Sequence, residues 1–262
     1  MLPVQVAVAT RSFNQPIKRA VQTAREVGAQ GIGLDARNEL KPSELSETGR
    51  RQFLHLLEEN GLSVALLTFP LTRPLYDPEG LDARLDALKA AMQFAFALRA
   101  KVVAARVGRI PAEVDSEDYR TLWEVTGELA RYGNRVGVAL AVTPMNDSPQ
   151  ALAAFLRSVT AGPMGLNLDP AALVMAGQDP AEAVRELHDL VAHVQVRDAV
   201  RDVDGSGTEV PVGRGEVDWD ELLAVLEEAR YRQWFTIERT QGDDKIGDSA
   251  RAVQFLKQVA KG

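Results

Sequence analysis

The chain has 262 residues, 45% hydrophobic and 26% charged, with a formal net charge of −7 and no cysteine. That is a globular composition without the basic field a nucleic-acid backbone requires. It excludes disulfides, thiolate metal ligands and a cysteine nucleophile, and no stretch reaches the ~18 apolar residues of a membrane span. We therefore expect a cytoplasmic protein without nucleic-acid or membrane partners.

The first strand covers residues 4–9. Pro16 and Gly28 bracket the first helix, following the preference for proline at the start and glycine past the end. A short strand at 31–35 precedes a helix over 46–59, whose apolar face carries Phe53, Leu54 and Leu57 and which Asn60-Gly61 stops. Strand three spans 62–69, and a long helix spans 81–99 after a loop with prolines. Strand four spans 101–106, and the next helix spans 116–132, ending near Gly133. Strand five spans 138–143, and Ser148-Pro149 caps helix five. Strand six ends at Asp169, and Asp179-Pro180-Ala181-Glu182 opens helix six as a capping box. Strand seven spans 191–197, followed by a long polar loop to Glu216. Helix seven spans 218–230, strand eight 233–238 and helix eight 247–260.

Eight strands alternating with eight helices predict a parallel sheet. At this length they predict a single closed (β/α)8 barrel, one domain over 1–262, in preference to a doubly wound open sheet. Side-chain parity agrees, because neighbouring strand residues face opposite ways. Leu166 and Leu168, Val194 and Val196, and Phe235 and Ile237 form the apolar sets of strands six, seven and eight. The opposite sets hold Asn167 and Asp169; His193, Gln195 and Arg197; and Trp234, Thr236 and Glu238. These should point into the barrel and converge near the C-terminal rim, where such folds place their chemistry.

The strand ends carry the candidate residues. Glu238 has no evident capping task, so a functional role is the better reading. Asp169 precedes Pro170 and can cap a following helix as well as hold a ligand. His193 reads first as a satisfied core histidine. Arg106 and Arg197 share the inward parity on a rim rich in arginine, which suits a carboxylate or phosphate on a ligand.

The segments 165–170, 193–199, 210–219 and 235–238, taken in order, resemble the sugar phosphate isomerase/epimerase family of the xylose-isomerase-like barrels, a group that also includes DNA-repair enzymes of the endonuclease IV type. The resemblance implies a divalent metal held by Glu, Asp, His and Glu at the ends of strands five to eight, with the two glutamates moving a proton beside a carbonyl. By position these four fall on Thr143, Asp169, Gln195 and Glu238, and a sugar-contacting histidine falls on Ala172. Threonine and glutamine oxygens bind hard cations more weakly than carboxylates, and without imidazole a zinc-like ion loses its preferred ligand.

The expectation is thus an isomerase/epimerase-like protein with a degraded metal site. Its catalytic residues would be Glu238 and Asp169. Thr143, Asn167, His193, Gln195, Arg106 and Arg197 would contact a small sugar-like ligand, phosphorylated or acidic, and Mn or Mg would be held weakly by Asp169 and Glu238, or not at all. The alternative is a non-catalytic or metal-independent barrel binding a small polyol or sugar acid. Against the DNA-repair reading stand three histidines in all and an acidic chain.

Overall fold

The strand parity is realised in space. In the computed structural model, which describes residues 4–260, Leu166, Leu168, Val194, Val196, Phe235 and Ile237 all lie in the large core between strands and helices. The strands are β1 (Gln5–Ala9), β2 (Gly31–Asp35), β3 (Ser63–Thr68), β4 (Val102–Ala105), β5 (Ala139–Val142), β6 (Met164–Leu168), β7 (Val191–Val196), β8 (Asp198–Arg201), β9 (Gly207–Val210) and β10 (Trp234–Ile237). β1 to β7 and β10 pair in parallel in sequence order, and β10 returns to β1 in the register Val6–Phe235 and Ala7–Thr236. The described residues therefore form a single closed (β/α)8 barrel.

The helices are α1 (Ile17–Glu26), α2 (Glu47–Glu59), α3 (Leu81–Ala97), α4 (Glu117–Val136), α5 (Pro149–Ser158), α6 (Pro170–Met175), α7 (Pro180–Leu187), α8 (Trp219–Glu228) and α9 (Lys245–Val259). Ser46, Ser116, Ser148, Asp179, Asp218 and Asp244 each accept a backbone N–H at a helix start. Such caps stabilise by about 1 kcal/mol each.

Small residues fill the barrel interior. Ala7, Ala65, Leu66, Val102, Ala104 and Ala141 form a separate cluster, with Ala192 and Trp234 packed on it. Trp234, at the start of β10, plugs the floor, and Gly31 makes room for it: a Cβ on Gly31 would lie 2.9 Å from both the indole ring and the Ser63 carbonyl. The bulk is thereby kept at the bottom, which leaves the upper interior to polar side chains.

Four features depart from the sequence reading. α4 runs through Gly133 and stops at Gly137, whose φ is +80°. Gly133 serves close approach, since a Cβ there would lie 2.4 Å from the Val138 carbonyl. A 3-10 turn, Thr10–Phe13, follows β1 directly. The short α6 is a helix beyond the eight expected, and Asp169 caps it as its place before Pro170 allows. The long loop after β7 folds into an antiparallel hairpin, β8 with β9, lying outside the barrel sheet.

Candidate functional site

The upper interior carries a continuous chain of hydrogen bonds across adjacent strands. The Thr236 hydroxyl donates to His193 Nε2 at 2.8 Å, and His193 Nδ1–H donates to Asn167 Oδ1 at 2.6 Å. This tautomer follows from the partners, because the Asn167 amide nitrogen is already given to Thr143 Oγ1 at 2.9 Å and Gln195 Oε1 at 3.0 Å. The Gln195 amide then donates to Glu238 Oε2, and Arg11 Nε donates to Glu238 Oε1. Burial pushes the His193 imidazole down to about 3, so the ring is neutral and acts as a relay of hydrogen bonds.

Register explains why these side chains meet. Asn167 pairs with His193 across β6 and β7, after a one-residue shift following Leu166. Gln195 pairs with Thr236 across β7 and β10. A one-residue slip would turn every one of them to the other face.

A second network lies beside the first. Arg197 reaches Asp169 Oδ2 at 2.6 Å and Glu209 Oε2 at 2.7 Å, and Arg239 reaches Glu209 Oε1 at 2.7 Å and Asp248 at 2.9 Å. Glu209, on β9, also accepts from the Thr240 hydroxyl and from the backbone N–H groups of Thr240 and Gln241. Burial opposes its ionisation, but the Thr240 hydroxyl and the two guanidinium groups outweigh that and hold its carboxyl at about 2. Asp169 Oδ1 accepts the Ala172 N–H at 3.2 Å, so this carboxylate is both a helix cap and half of a buried ion pair.

Two connected hollows open at the mouth. The outer cleft has a volume of about 210 Å³ and is lined by Arg11, Arg106, Thr143, Asn167 and Gln195, with Phe69 and Leu71 among its apolar residues. The inner chamber is a narrow recess of about 10 Å³, room for about one water, lined by Arg11, Asp35, His193, Gln195, Thr236 and Glu238. Arg11 and Gln195 border both. Asp169 instead borders a separate hollow beneath α6, with Asp147 and Gln178.

Of the residues singled out from sequence, Thr143, Asn167, Gln195 and Arg106 thus meet at the outer cleft, and Glu238 and His193 at the inner chamber. His193 has both ring nitrogens engaged within the protein, and Arg197 has its guanidinium divided between Asp169 and Glu209. His193 thereby fixes Asn167 and Thr236, which line the mouth, whereas Arg197 ties the end of β6 to β9 beside it. Sequence reasoning missed Arg11 and Glu209. Arg11 sits in the 3-10 turn, 227 positions from its partner Glu238, and no motif marks it. The faint alternation of residues 207–210 was the only local signal for β9, and glycines and charges obscured it.

The four strand-end positions form a poor donor set for a divalent cation. Thr143 and Gln195 offer neutral oxygens, and each of the two carboxylates already faces a guanidinium, Asp169 that of Arg197 and Glu238 that of Arg11. A cation placed there would meet two fixed positive charges at close range. Among the described residues no three His, Asp or Glu side chains stand together in a way that could hold a metal ion.

Comparison with known proteins bears on the fold. A family model described as xylose isomerase-like TIM barrel matches residues 21–259. No curated protein sequence matches. A xylose isomerase domain protein from Planctomyces limnophilus superposes with a TM-score of 0.85 at 23% identity, covering 99% of this chain and 98% of that one. A xylose isomerase-like TIM barrel protein from Mycobacterium smegmatis, solved with magnesium, gives 0.79 at 18% identity, covering 99% and 96%. A D-psicose 3-epimerase solved in the presence of D-fructose gives 0.79 at 15% identity, covering 99% and 100%.

Proposed function

The chain belongs to the xylose isomerase-like TIM barrel family, and from that premise we propose that its mouth binds a small polyhydroxylated molecule of the sugar class through side chains alone, with no divalent metal between ligand and protein. The observation that carries this reading is the pairing of both strand-end carboxylates with arginine, Asp169 with Arg197 and Glu238 with Arg11. In each pair the guanidinium supplies the positive charge that a metal would bring. Hydroxyl groups of a ligand find partners on the cleft lining. The Thr143 hydroxyl accepts from Asn167 and so keeps its own proton to donate, while Gln195 and Asn167 carry further acceptor capacity. The structural neighbour that is a D-psicose 3-epimerase supports the sugar class.

A second reading adds chemistry. Glu238 is buried at the end of β10, borders the inner chamber and has the Arg11 guanidinium against it. A base beside a cation suits removal of a proton next to a carbonyl, with the guanidinium stabilising the enolate oxygen that forms. A single base can return that proton to the adjacent carbon on the same face while the neighbouring hydroxyl gives its proton to the former carbonyl oxygen, which interconverts an aldose and a ketose. Inversion at one carbon needs a second acid on the opposite face, and Asp169 is committed to Arg197 and to α6.

A thermal-shift panel tests the main reading. In chelator, several sugars and polyols should raise the melting temperature, and matched molecules without hydroxyl groups should not. Stabilisation that appears only when Mn²⁺ is added would overturn it. Product analysis on the sugars that bind then decides whether Glu238 turns them over.

A further inference from the structure

We propose that Arg11 and Arg106 form an anion-binding wall in the outer cleft, so that the ligand is a polyhydroxy compound carrying a carboxylate or a phosphate. The proposal rests on the reading of the mouth as a metal-free polyol site and names the class of molecule it takes.

Three observations carry it. The chain holds 37 acidic residues against 30 basic ones, yet the lining of the outer cleft contains two arginines and no carboxylate. The acidic groups near the mouth, Asp35 and Glu238, line the inner chamber behind Arg11. The mouth is therefore polarised, with an anion favoured in the outer cleft and repelled from the inner one.

Arg106 has no counter-ion. Arg197 is engaged with Asp169 and Glu209, Arg239 with Glu209 and Asp248, and Arg37 with the Pro70 carbonyl and the Phe69 ring, while Arg109, Arg201 and Arg214 line neither hollow at the mouth. Among the described residues Arg106 makes no hydrogen bond or ion pair, although it lines the cleft. A solvated surface arginine would look the same by itself, and Arg11 supplies the independent observation.

Arg11 is only partly engaged. It gives Nε to Glu238, while its Nη1 lies 3.6 Å from Asp35, beyond hydrogen-bond range. Its side chain is 34% exposed, and it borders both hollows. Guanidinium donors left over after one contact suit a planar carboxylate or a phosphate. An anion held there stands on the same lining as Thr143, Asn167 and Gln195, which take the hydroxyl groups of the same molecule.

Titration calorimetry with D-glucitol, D-gluconate and D-glucitol 6-phosphate tests this on the native chain, on Arg106→Gln and on Arg11→Gln, all in chelator. The two charged probes distinguish carboxylate from phosphate. We expect at least one of them to bind about tenfold or more tighter than glucitol, with the advantage weakening as salt is added. In Arg106→Gln that ratio of Kd values should fall about tenfold, the effect of losing one charge-assisted contact. Arg11→Gln unpairs the buried Glu238, so Arg106→Gln, exposed and without a protein partner, keeps the test decisive if the other variant does not fold. Glucitol binding as tightly as both anions would overturn the anion wall and leave the polyol reading standing. An undiminished advantage in Arg106→Gln would also overturn it. Binding of none of the three probes would overturn the polyol reading together with this proposal.

Discussion

Asn167 is the junction of the mouth. Its amide nitrogen joins Thr143 to Gln195, and its oxygen fixes the neutral tautomer of His193. Removing it leaves a buried imidazole N–H and two buried oxygens without their partner, each costing about 1–3 kcal/mol. Asn167→Leu should therefore destabilise the protein by about 3 kcal/mol or more in urea unfolding, whereas Thr143→Val, at the end of the network, should cost about 1 kcal/mol. Equal, small effects would mean that the network does not act as a unit. The inward set Thr143, Asn167, Gln195 and Glu238 was legible in the sequence because a strand's period of two separates them from the apolar residues between. The partners that hold Glu238 and Asp169 were not. A guanidinium from a turn after β1, or one bridging to an added hairpin, is fixed by tertiary geometry and leaves no local pattern.

The hairpin β8–β9 is the element that departs most from a plain barrel repeat. Its base is fastened by Asp198, whose carboxylate accepts from the backbone N–H groups of Ala199, Gly213, Gly215 and Val217 and from the Trp219 indole. Its second strand sends Glu209 inward to bind Arg197 and Arg239, so the hairpin also steadies the guanidinium beside Asp169. Because the folded Glu209 carboxyl sits at about 2, below its ordinary 4.5, its contribution to stability is complete above about pH 4.5. That contribution is lost as pH falls through about 2. Glu209→Gln should start less stable at neutral pH and lose less between about pH 4.5 and 2 than the parent. Urea midpoints across that range check this, and parallel slopes would contradict it. From sequence this segment read as a polar loop, since Gly205, Gly207, Gly213 and Gly215 outweigh the faint alternation of 207–210. Gly133 misled in the same way, being read as a stop where it is a packing glycine.

At the scale of the molecule, the barrel and its rim are separable in what they require of the sequence. Closure rests on alternation repeated eight times and on small interior residues above the Trp234 plug, which is why the architecture could be read ahead of the structure. The character of the rim rests on pairings between distant strand ends, and here those pairings place arginine against both strand-end carboxylates, Glu238 and Asp169. In the function proposed above, guanidinium in place of a metal lets the cleft take a polyhydroxylated ligand unaided. The most direct measurement is the dissociation constant of the tightest ligand from the sugar panel, determined by calorimetry on metal-stripped protein in chelator and again with excess Mn²⁺. The same constant is expected in both. Binding that is absent in chelator and restored by Mn²⁺, with about one ion per chain, would contradict it.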